Sequence, residues 1–305
     1  VSVSARSTAR NGSDAPDLAI PAEPVATELK LLAAQGDLEK LRELPVIVEH
    51  ARNRGTFRRL ESVYYDTPEQ LLTGHGMSLR VRRSGKHYLQ TLRRSHNDGR
   101  PPDRQQWEVP VDDIVPDLAR FPADEVGNPI ATLNTRSLVP VFTIRIGRHG
   151  QRLDFPDASI DILFDKGSIE AGTRKEDLSE IELKLKSGNA AVLFDLGAQL
   201  LDAAPLQLGT RSKAEHGYLI AFDVVQPAAK ATLPDITSEH AVNDVIARHA
   251  EACWHHLLKN LAVVQEGSDT EGVHQMRIAL RRLRTICVMF RHDIPSPVFQ
   301  TIDLE

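Results

Sequence analysis

The sequence predicts an α+β protein built around an antiparallel β-sheet, and three observations support this class. Over residues 25–223, short segments of alternating apolar and polar residues are separated by Gly, Pro and Asn/Asp turns, which is typical of antiparallel strands. Two stretches with helical periodicity interrupt these strands, at 38–53 after Asp37 and at 189–203 after Ser187-Gly188. Beyond residue 235 the period becomes helical, and a second C-terminal helix is expected over 270–290.

Composition divides the chain into four parts. Residues 1–24 are rich in Ser, Ala, Pro and Asp and have no period, so a disordered tail is expected. The β unit of residues 25–223 follows. Residues 224–234 contain two prolines and little pattern, which predicts a linker. Residues 235–305 form the short all-α segment.

Charge and hydropathy exclude several classes of protein. The formal net charge of -5 argues against a generally basic nucleic-acid binder. No apolar run approaches the roughly 18 residues of a membrane span, and no secretory signal is visible. These features predict a cytoplasmic protein without a membrane partner, and they leave its oligomeric state open. Cys253 and Cys287 lie in helix-like apolar patterns, as expected for reduced thiols.

Charged side chains alternate with apolar ones along several predicted strands. Residues two apart in a strand share a face, so Glu180, Glu182, Lys184 and Lys186 fall on one side of their strand. Glu28 and Lys30, Arg80 and Arg82, Arg104, Gln106 and Glu108, and Asp161 and Asp165 are likewise separated by even numbers of residues, so each set shares a side of its strand. Strands of this kind carry few neutral polar residues on the charged side.

Two interpretations of these charges remain open. An antiparallel sheet often has one solvated face, and its charges then need no function. If the sheet closes with the charges inward, the basic residues could hold a polyanion and the carboxylates could hold divalent cations. Carboxylates, Mg²⁺ and phosphate oxygens together are the usual chemistry of phosphoryl transfer.

Several short motifs follow one another in a specific order. Glu28-Leu29-Lys30-Leu31 opens the β unit, and Tyr64–Pro68 and Gly76–Arg82 follow it. The later motifs are Thr91-Leu92-Arg93, Arg104–Glu108, Arg145–Arg148, Asp165-Lys166-Gly167, Glu180–Leu183 and Ser212-Lys213. In order and spacing this set resembles the CYTH domain of the triphosphate tunnel metalloenzymes.

The resemblance implies an eight-stranded antiparallel tunnel that binds triphosphate and uses Mg²⁺ or Mn²⁺. It assigns Glu28 and Lys30 as catalytic residues. The residues it implies for phosphate binding are Lys30, Arg58, Arg80, Arg82, Arg93, Arg145, Arg148 and Lys213. The residues it implies for metal binding are Glu28, Glu108, Asp165, Glu180 and Glu182.

Three positions depart from the family pattern. Arg93 replaces a usual Lys and keeps its positive charge, whereas His216 replaces a common Arg and loses a guaranteed charge. Ala26 stands where the family has the first Glu of its Glu-x-Glu-x-Lys strand. Since Mg²⁺ relies on only one or two direct carboxylates, the missing ligand leaves a weakened or inactive site as an alternative.

The C-terminal segment contains a basic helical stripe. His274, Arg277, Arg281 and Arg284 are spaced by three and four residues, so they share one side of a helix. A basic stripe can be merely solvated, but this string resembles the opening of a CHAD domain, which implies contact with polyphosphate. That module is normally much longer, so residues 235–305 are expected to be its truncated start.

The leading functional hypothesis is metal-dependent hydrolysis of inorganic triphosphate to phosphate and pyrophosphate. Thiamine triphosphatase and class IV adenylate cyclase are alternatives, and the CHAD-like segment favours an inorganic substrate over both. A module that binds polyphosphate or a nucleotide with little or no cleavage is a further alternative, and a β domain with a solvated charged face is another. No specific nucleic-acid partner is expected.

Overall fold

A computed structural model describes residues 27–95, 104–267 and 269–291. Residues 1–24, predicted to be a disordered tail, and Ala26 lie outside these ranges. The strands are β1 (Glu28–Leu32), β2 (Thr56–Asp66), β3 (Met77–Ser84), β4 (His87–Ser95), β5 (Arg104–Val111), β6 (Val139–Phe155), β7 (Ala158–Ala171), β8 (Arg174–Gly188) and β9 (Gln207–Leu208). They form one antiparallel sheet in the order β5-β4-β3-β2-β6-β7-β8-β1-β9.

Helices flank the sheet and form the C-terminal segment. The α-helices of the described residues are α1 (Asp37–Arg42), α2 (Pro45–His50), α3 (Leu71–Gly74), α4 (Ala123–Val126), α5 (Ala190–Ala203), α6 (Lys213–Phe222), α7 (Val242–Gln265) and α8 (Thr270–Met289). Short 3-10 turns occur at Leu118–Arg120, Ile130–Thr132 and Thr135–Ser137. None of the described helices is long and apolar enough to cross a membrane. Neither Cys253 nor Cys287 forms a disulfide with any of the described residues.

The predicted fold class is confirmed, but the strand count and the closure of the sheet differ from the prediction. Within the described residues the sheet has nine strands because Gln207–Leu208 pairs with β1, and a strand of two residues is too short to show alternation in the sequence. Among the described strands, β5 and β9 are the two edges and do not pair with each other. The sheet is therefore open, whereas the resemblance implied a closed tunnel.

The helix predicted over 38–53 is two helices. α1 ends at Arg42, and α2 begins with Pro45 at its first position. Proline lacks a backbone N–H, and it forces the preceding residue into an extended conformation, so one continuous helix cannot form. Asp37 is the first residue of α1 and not its N-cap, which is Gly36. The prediction over 189–203 is confirmed by α5, with the Asn189 side chain accepting from the Ala191 N–H, and that over 270–290 by α8.

Strand pairing places most of the predicted charges on one side of the sheet. Directly paired residues in antiparallel strands share a face, and the pairs Arg82–Ser62, Ser62–Ile144, Ile144–Ile169 and Ile169–Glu176 connect β3 with β8. We call the side that bears Arg80, Arg82, Arg148, Asp165, Glu180 and Glu182 the charged face, and the opposite side the reverse face. On the reverse face, Ile162, Ile181 and Leu183 are fully buried together with Leu193 and Leu200 of α5.

α6 packs across the charged face beside the charged residues. Its N-terminus has a capping box, in which the Ser212 hydroxyl accepts from the Glu215 N–H and the Glu215 carboxylate accepts from the Ser212 N–H. Ile220 packs with Ile144 and Ile146 of β6. These contacts fix the first residue of α6, Lys213, beside the strands.

Gly217 allows α6 to approach the sheet closely. A Cβ atom at this position would lie 2.1 Å from Cε2 of Phe142, which is a buried core ring. We expect Gly217→Ala to lower the free energy of unfolding by about 1–3 kcal/mol, the usual cost of overpacking a core, measured by urea unfolding. Gly36→Ala is the control, because no atom of the described residues, apart from Gly36 and its chain neighbours, lies within 4 Å of its added Cβ. Equal stability of the two variants would contradict this packing.

The C-terminal helices α7 and α8 pack together and hold the segment that precedes them. The Ala229 N–H donates to Asn260 Oδ1 over 2.9 Å, and the Ala229 carbonyl lies 3.0 Å from His256 Nε2. The same His256 Nε2 also lies 3.0 Å from Gln275 Oε1 of α8. Residues 224–236 have no regular secondary structure, and the predicted domain boundaries around them stay predictions.

Candidate active site

Three buried carboxylates meet on the charged face, on the adjacent strands β7 and β8. Asp165 of β7 pairs directly with Glu180 of β8, and Glu182 follows two residues later on the same side. One oxygen of each residue lies within 4.8 Å of the others. We call Asp165, Glu180 and Glu182 the acidic cluster. Three carboxylates at this separation repel one another unless a cation lies between them.

Lys213 supplies that cation in this structure. Its Nζ lies 2.8 Å from Asp165 Oδ2 and 2.6 Å from Glu182 Oε1, and it also donates to Glu180. Burial would lower the pKa of the Lys213 ammonium, but the three carboxylates outweigh burial and raise this pKa above its ordinary value. Lys213 is therefore charged, and α6 is tied to the strands through it.

Further basic groups surround the acidic cluster. Arg148 donates to both oxygens of Asp165 over 2.7 and 2.6 Å, and its Nη2 lies 3.6 Å from Glu182. Lys184 Nζ lies 3.1 Å from Glu182, and Lys30 Nζ lies 3.9 Å from Glu180. Paired charges of this kind are required when carboxylates are buried.

The two glutamates of the cluster differ in their affinity for protons. Burial raises the pKa of Glu180, and this effect exceeds the opposing attraction of Lys213 and Lys30. At Glu182 burial acts in the same direction, but Lys213, Lys184 and Arg148 outweigh it and lower the pKa well below its ordinary value. Glu182 is therefore the more firmly ionised of the two carboxylates.

The neighbouring part of the charged face holds more arginines than carboxylates that could neutralise them. Burial, followed by the positive charges of Arg80, Arg148 and Arg93, lowers the pKa of Arg82 to about 10. Arg80 is buried, and its Nε has no hydrogen-bond partner among the residues that the structure describes. A buried donor without an acceptor and several like charges are unfavourable by themselves. An anion bound here would relieve both.

The acidic cluster fits a divalent cation. Its three carboxylates are hard oxygen ligands, which Mg²⁺ and Mn²⁺ prefer. They are buried and close enough for more than one to ligate a single ion. Lys213 occupies part of the same space, so binding of a metal requires its ammonium to move.

The structure brings most of the predicted site residues to the charged face. Lys30, Arg148 and Lys213 contact the acidic cluster. Four other predicted residues lie farther along the same face: Arg80, Arg82, Arg93 and Glu108. There Thr91 Oγ1 donates to Glu108, and Arg93 donates to Gln106.

Three predicted residues lie apart from the cluster. Glu28 is partly exposed, and its Oε2 lies 3.5 Å from Lys184 Nζ. Arg58 is exposed and pairs with Arg148 across β2 and β6. Arg145 points to the reverse face, where it binds Glu61 and Glu170, so the structure does not place it with the phosphate-binding candidates.

One basic residue that contacts the acidic cluster was not among the predicted site residues. Lys184 connects Glu28 to Glu182 through contacts of 3.5 and 3.1 Å. The alternation that predicted Glu180 and Glu182 extends to Lys184, so the same signal could have identified it.

Because Lys213 competes for the carboxylates, Lys213→Met should tighten Mn²⁺ binding without substrate. We expect roughly a tenfold lower Kd, which corresponds to about 1.4 kcal/mol, since one positive charge leaves the cluster. Isothermal titration with MnCl₂ measures the change. Lys175→Met is the matched control, because that lysine binds Glu170 on the reverse face. Weaker Mn²⁺ binding by Lys213→Met would contradict the competition.

Comparison with known proteins gives matches over the sheet and over the last two helices. A 30% identity over 166 residues relates the chain to an inorganic triphosphatase of Haemophilus influenzae, covering 53% of this chain and 46% of that protein. The chain therefore spans less than half the length of this curated relative.

Solved structures are also similar in part. A Hippeastrum protein, described as a candidate adenylyl cyclase with a dominant triphosphatase activity, has a TM-score of 0.45 and 15% identity over 63% of this chain and 95% of its own. A candidate adenylate cyclase from Bacillus halodurans has a TM-score of 0.43 and 18% identity over 62% and 95%.

Family models divide the chain in the same way as its secondary structure. The CHAD domain model matches residues 248–304, which include α8 and most of α7. The CYTH domain model matches residues 26–218, which contain the whole sheet and most of α6. Since this match covers more than half of the 305 residues, the chain belongs to the CYTH domain family, and its CYTH domain is followed by a CHAD domain.

Proposed function

We propose that this chain hydrolyses inorganic triphosphate on the charged face, with the help of a divalent metal ion. The observation that carries the proposal is the acidic cluster beside a group of arginines on one side of one sheet. Carboxylates alone would suggest a metal-binding site, and arginines alone would suggest an anion-binding site. Together they match the requirements of phosphoryl transfer.

The acidic cluster would hold the metal, which we propose to be Mg²⁺ or Mn²⁺. When bound, such an ion neutralises phosphate charge and lowers the pKa of a water molecule. Ionised Glu182 is available as a ligand without loss of a proton, since its pKa is already low. Glu28 and Glu108 stay proposed as further ligands on the same face.

The basic residues would position the triphosphate. Arg80, Arg82, Arg93 and Arg148 can each offer two parallel donors to phosphate oxygens. Lys30 and Lys213 would act as point charges next to the carboxylates, with Lys213 moving from the cluster to the substrate. In the reaction a water oxygen attacks the terminal phosphorus, the bond to the bridging oxygen breaks, and pyrophosphate leaves.

A substrate comparison tests the proposal. Phosphate release is measured with inorganic triphosphate, ATP and thiamine triphosphate, each with Mg²⁺ and with Mn²⁺. We expect inorganic triphosphate to give the highest kcat/KM. Preferred cleavage of thiamine triphosphate, or formation of cyclic AMP from ATP, would assign the same site to one of the alternative activities.

Binding without cleavage is the second candidate function. It is favoured by Ala26, which stands where the family has a carboxylate, and by Lys213, which contacts all three carboxylates. If triphosphate binds but no phosphate is released at any metal concentration, this candidate replaces hydrolysis.

The basic stripe of α8 is proposed to contact polyphosphate. His274, Arg277, Arg281 and Arg284 are all exposed on one side of the helix. Arg277→Ala combined with Arg281→Ala should weaken polyphosphate binding several-fold at low salt, and the difference should disappear near about 0.5 M salt, because exposed charges are screened. Fluorescence anisotropy with labelled polyphosphate measures this effect.

Arg248→Ala serves as the control, since that arginine is exposed on α7. Equal loss of binding in the control would mean that net charge, and not the stripe, governs the interaction.

A further inference from the structure

A cavity lies on the reverse face of the sheet, behind the candidate active site. Its volume is about 540 Å³, which is within the range of small-molecule sites. It lies where β2, β3, β6 and β7 run side by side. The residues that define its character are Phe57, Arg59, Glu61, Arg83, Arg145 and Lys166.

A glycine forms the floor of this cavity. Gly147 of β6 pairs with Arg59 of β2 on one side and with Lys166 of β7 on the other. A Cβ atom at Gly147 would lie 3.0 Å from Cζ of Phe57. The absence of a side chain therefore allows the Phe57 ring to lie over the strand. Phe57 is 64% exposed, so much of this ring remains open to a ligand.

Positive charge surrounds the exposed ring. Arg145 binds Glu61 and Glu170, and Arg83 lies 3.9 Å from Glu61. Arg59 and Lys166 are exposed and have no ion pair with any residue in the described ranges. Four cations thus line the cavity together with one carboxylate, Glu61.

We propose that this cavity binds a nucleoside triphosphate. Bases stack on exposed aromatic side chains, and Phe57 offers such a surface at the floor of the cavity. Phosphate oxygens bind guanidinium and ammonium groups, which Arg59 and Lys166 supply on both sides of the ring. Inorganic phosphates would use the cations and leave the ring exposed, so the ring favours a ligand with a base.

The cavity and the candidate active site occupy opposite sides of the same strands. Phe57 and Arg59 flank Arg58, Gly147 precedes Arg148, and Lys166 follows Asp165. Binding on the reverse face therefore contacts strands that also carry candidate site residues. The proposed nucleotide site does not depend on the proposed hydrolysis of triphosphate.

ATP binding to the full chain tests the proposal by isothermal titration in EDTA. Arg82→Ala first weakens anion binding on the charged face, and Phe57→Ala is then added to it. We expect the Arg82→Ala chain to bind ATP, and Phe57→Ala to weaken this binding by about five- to tenfold or more through lost stacking. Arg59→Ala combined with Lys166→Ala should weaken it at least as strongly, whereas Lys40→Ala, an exposed lysine on α1, should not change it.

Inorganic triphosphate is the comparison ligand in the same Arg82→Ala background. Its binding should be unaffected by Phe57→Ala, because it has no base to stack on the ring. The proposal is overturned if the Arg82→Ala chain does not bind ATP, or if Phe57→Ala leaves ATP binding unchanged. It is also overturned if Phe57→Ala weakens the binding of inorganic triphosphate as much as that of ATP, since the effect would then not come from stacking of a base.

Discussion

Replacing Glu182 with glutamine should lower kcat for inorganic triphosphate by at least about 100-fold, because even indirect partners of a metal site typically cost 10–100-fold when removed. Glutamine keeps the size of the side chain and removes its negative charge. Glu182 is buried, ionised and in contact with three basic residues, Lys184, Arg148 and Lys213. We expect substrate affinity to fall less than kcat, since arginines farther along the charged face would still bind phosphate. Steady-state kinetics with saturating Mn²⁺ separates the two effects.

Glu176→Gln is the matched control for this variant. Glu176 lies on the same strand and the same side of the sheet, but it is exposed and binds His216. Its loss should change kcat by less than about twofold, as is usual for surface positions that bind no ligand. Equal kcat in Glu182→Gln and Glu176→Gln would exclude the acidic cluster as the metal site.

Replacing Arg82 with alanine should raise KM by about tenfold or more without destabilising the fold. Charge-assisted bonds of a guanidinium to phosphate are among the stronger hydrogen bonds. Burial and neighbouring arginines already lower the pKa of Arg82 to about 10, so the folded protein holds this charge at a cost. Removing it should leave the free energy of urea unfolding unchanged or higher.

A purely structural arginine would behave differently, since its loss would lower the free energy of unfolding and leave KM unchanged. Arg145→Ala provides the comparison within the chain. Arg145 binds Glu61 and Glu170 on the reverse face, so its loss should leave KM unchanged. A rise in KM for Arg145→Ala as large as that for Arg82→Ala would contradict the assignment of the two faces.

Strand alternation was sufficient to predict much of the charged face. Apolar residues separate Glu180, Glu182 and Lys184, and such alternation fixes which side chains share a face once one side is buried. The structure confirms this pattern, because Ile181 and Leu183 are fully buried on the reverse face. The same rule could have excluded Arg145, which is three residues from Arg148 and must therefore point to the other side of β6.

Other features depend on contacts that sequence periodicity does not encode. Sequence periodicity did not predict α6, although Ser212 and Glu215 have the spacing of a capping box. The insertion of Lys213 among three carboxylates requires α6 to cross the charged face, and Gly217 permits this through its contact with Phe142. Such long-range packing could not be derived from local patterns, and neither could the open edges at β5 and β9.

The most direct test of a metal-dependent site on the charged face is phosphate release from inorganic triphosphate during a titration with Mn²⁺ or Mg²⁺. The assay uses the wild-type chain and Glu182→Gln, and it ends with excess EDTA. We expect the wild type to release phosphate only with a divalent metal, EDTA to stop the reaction, and Glu182→Gln to remain inactive throughout. Metal-independent release, or equal release by Glu182→Gln, would contradict this expectation.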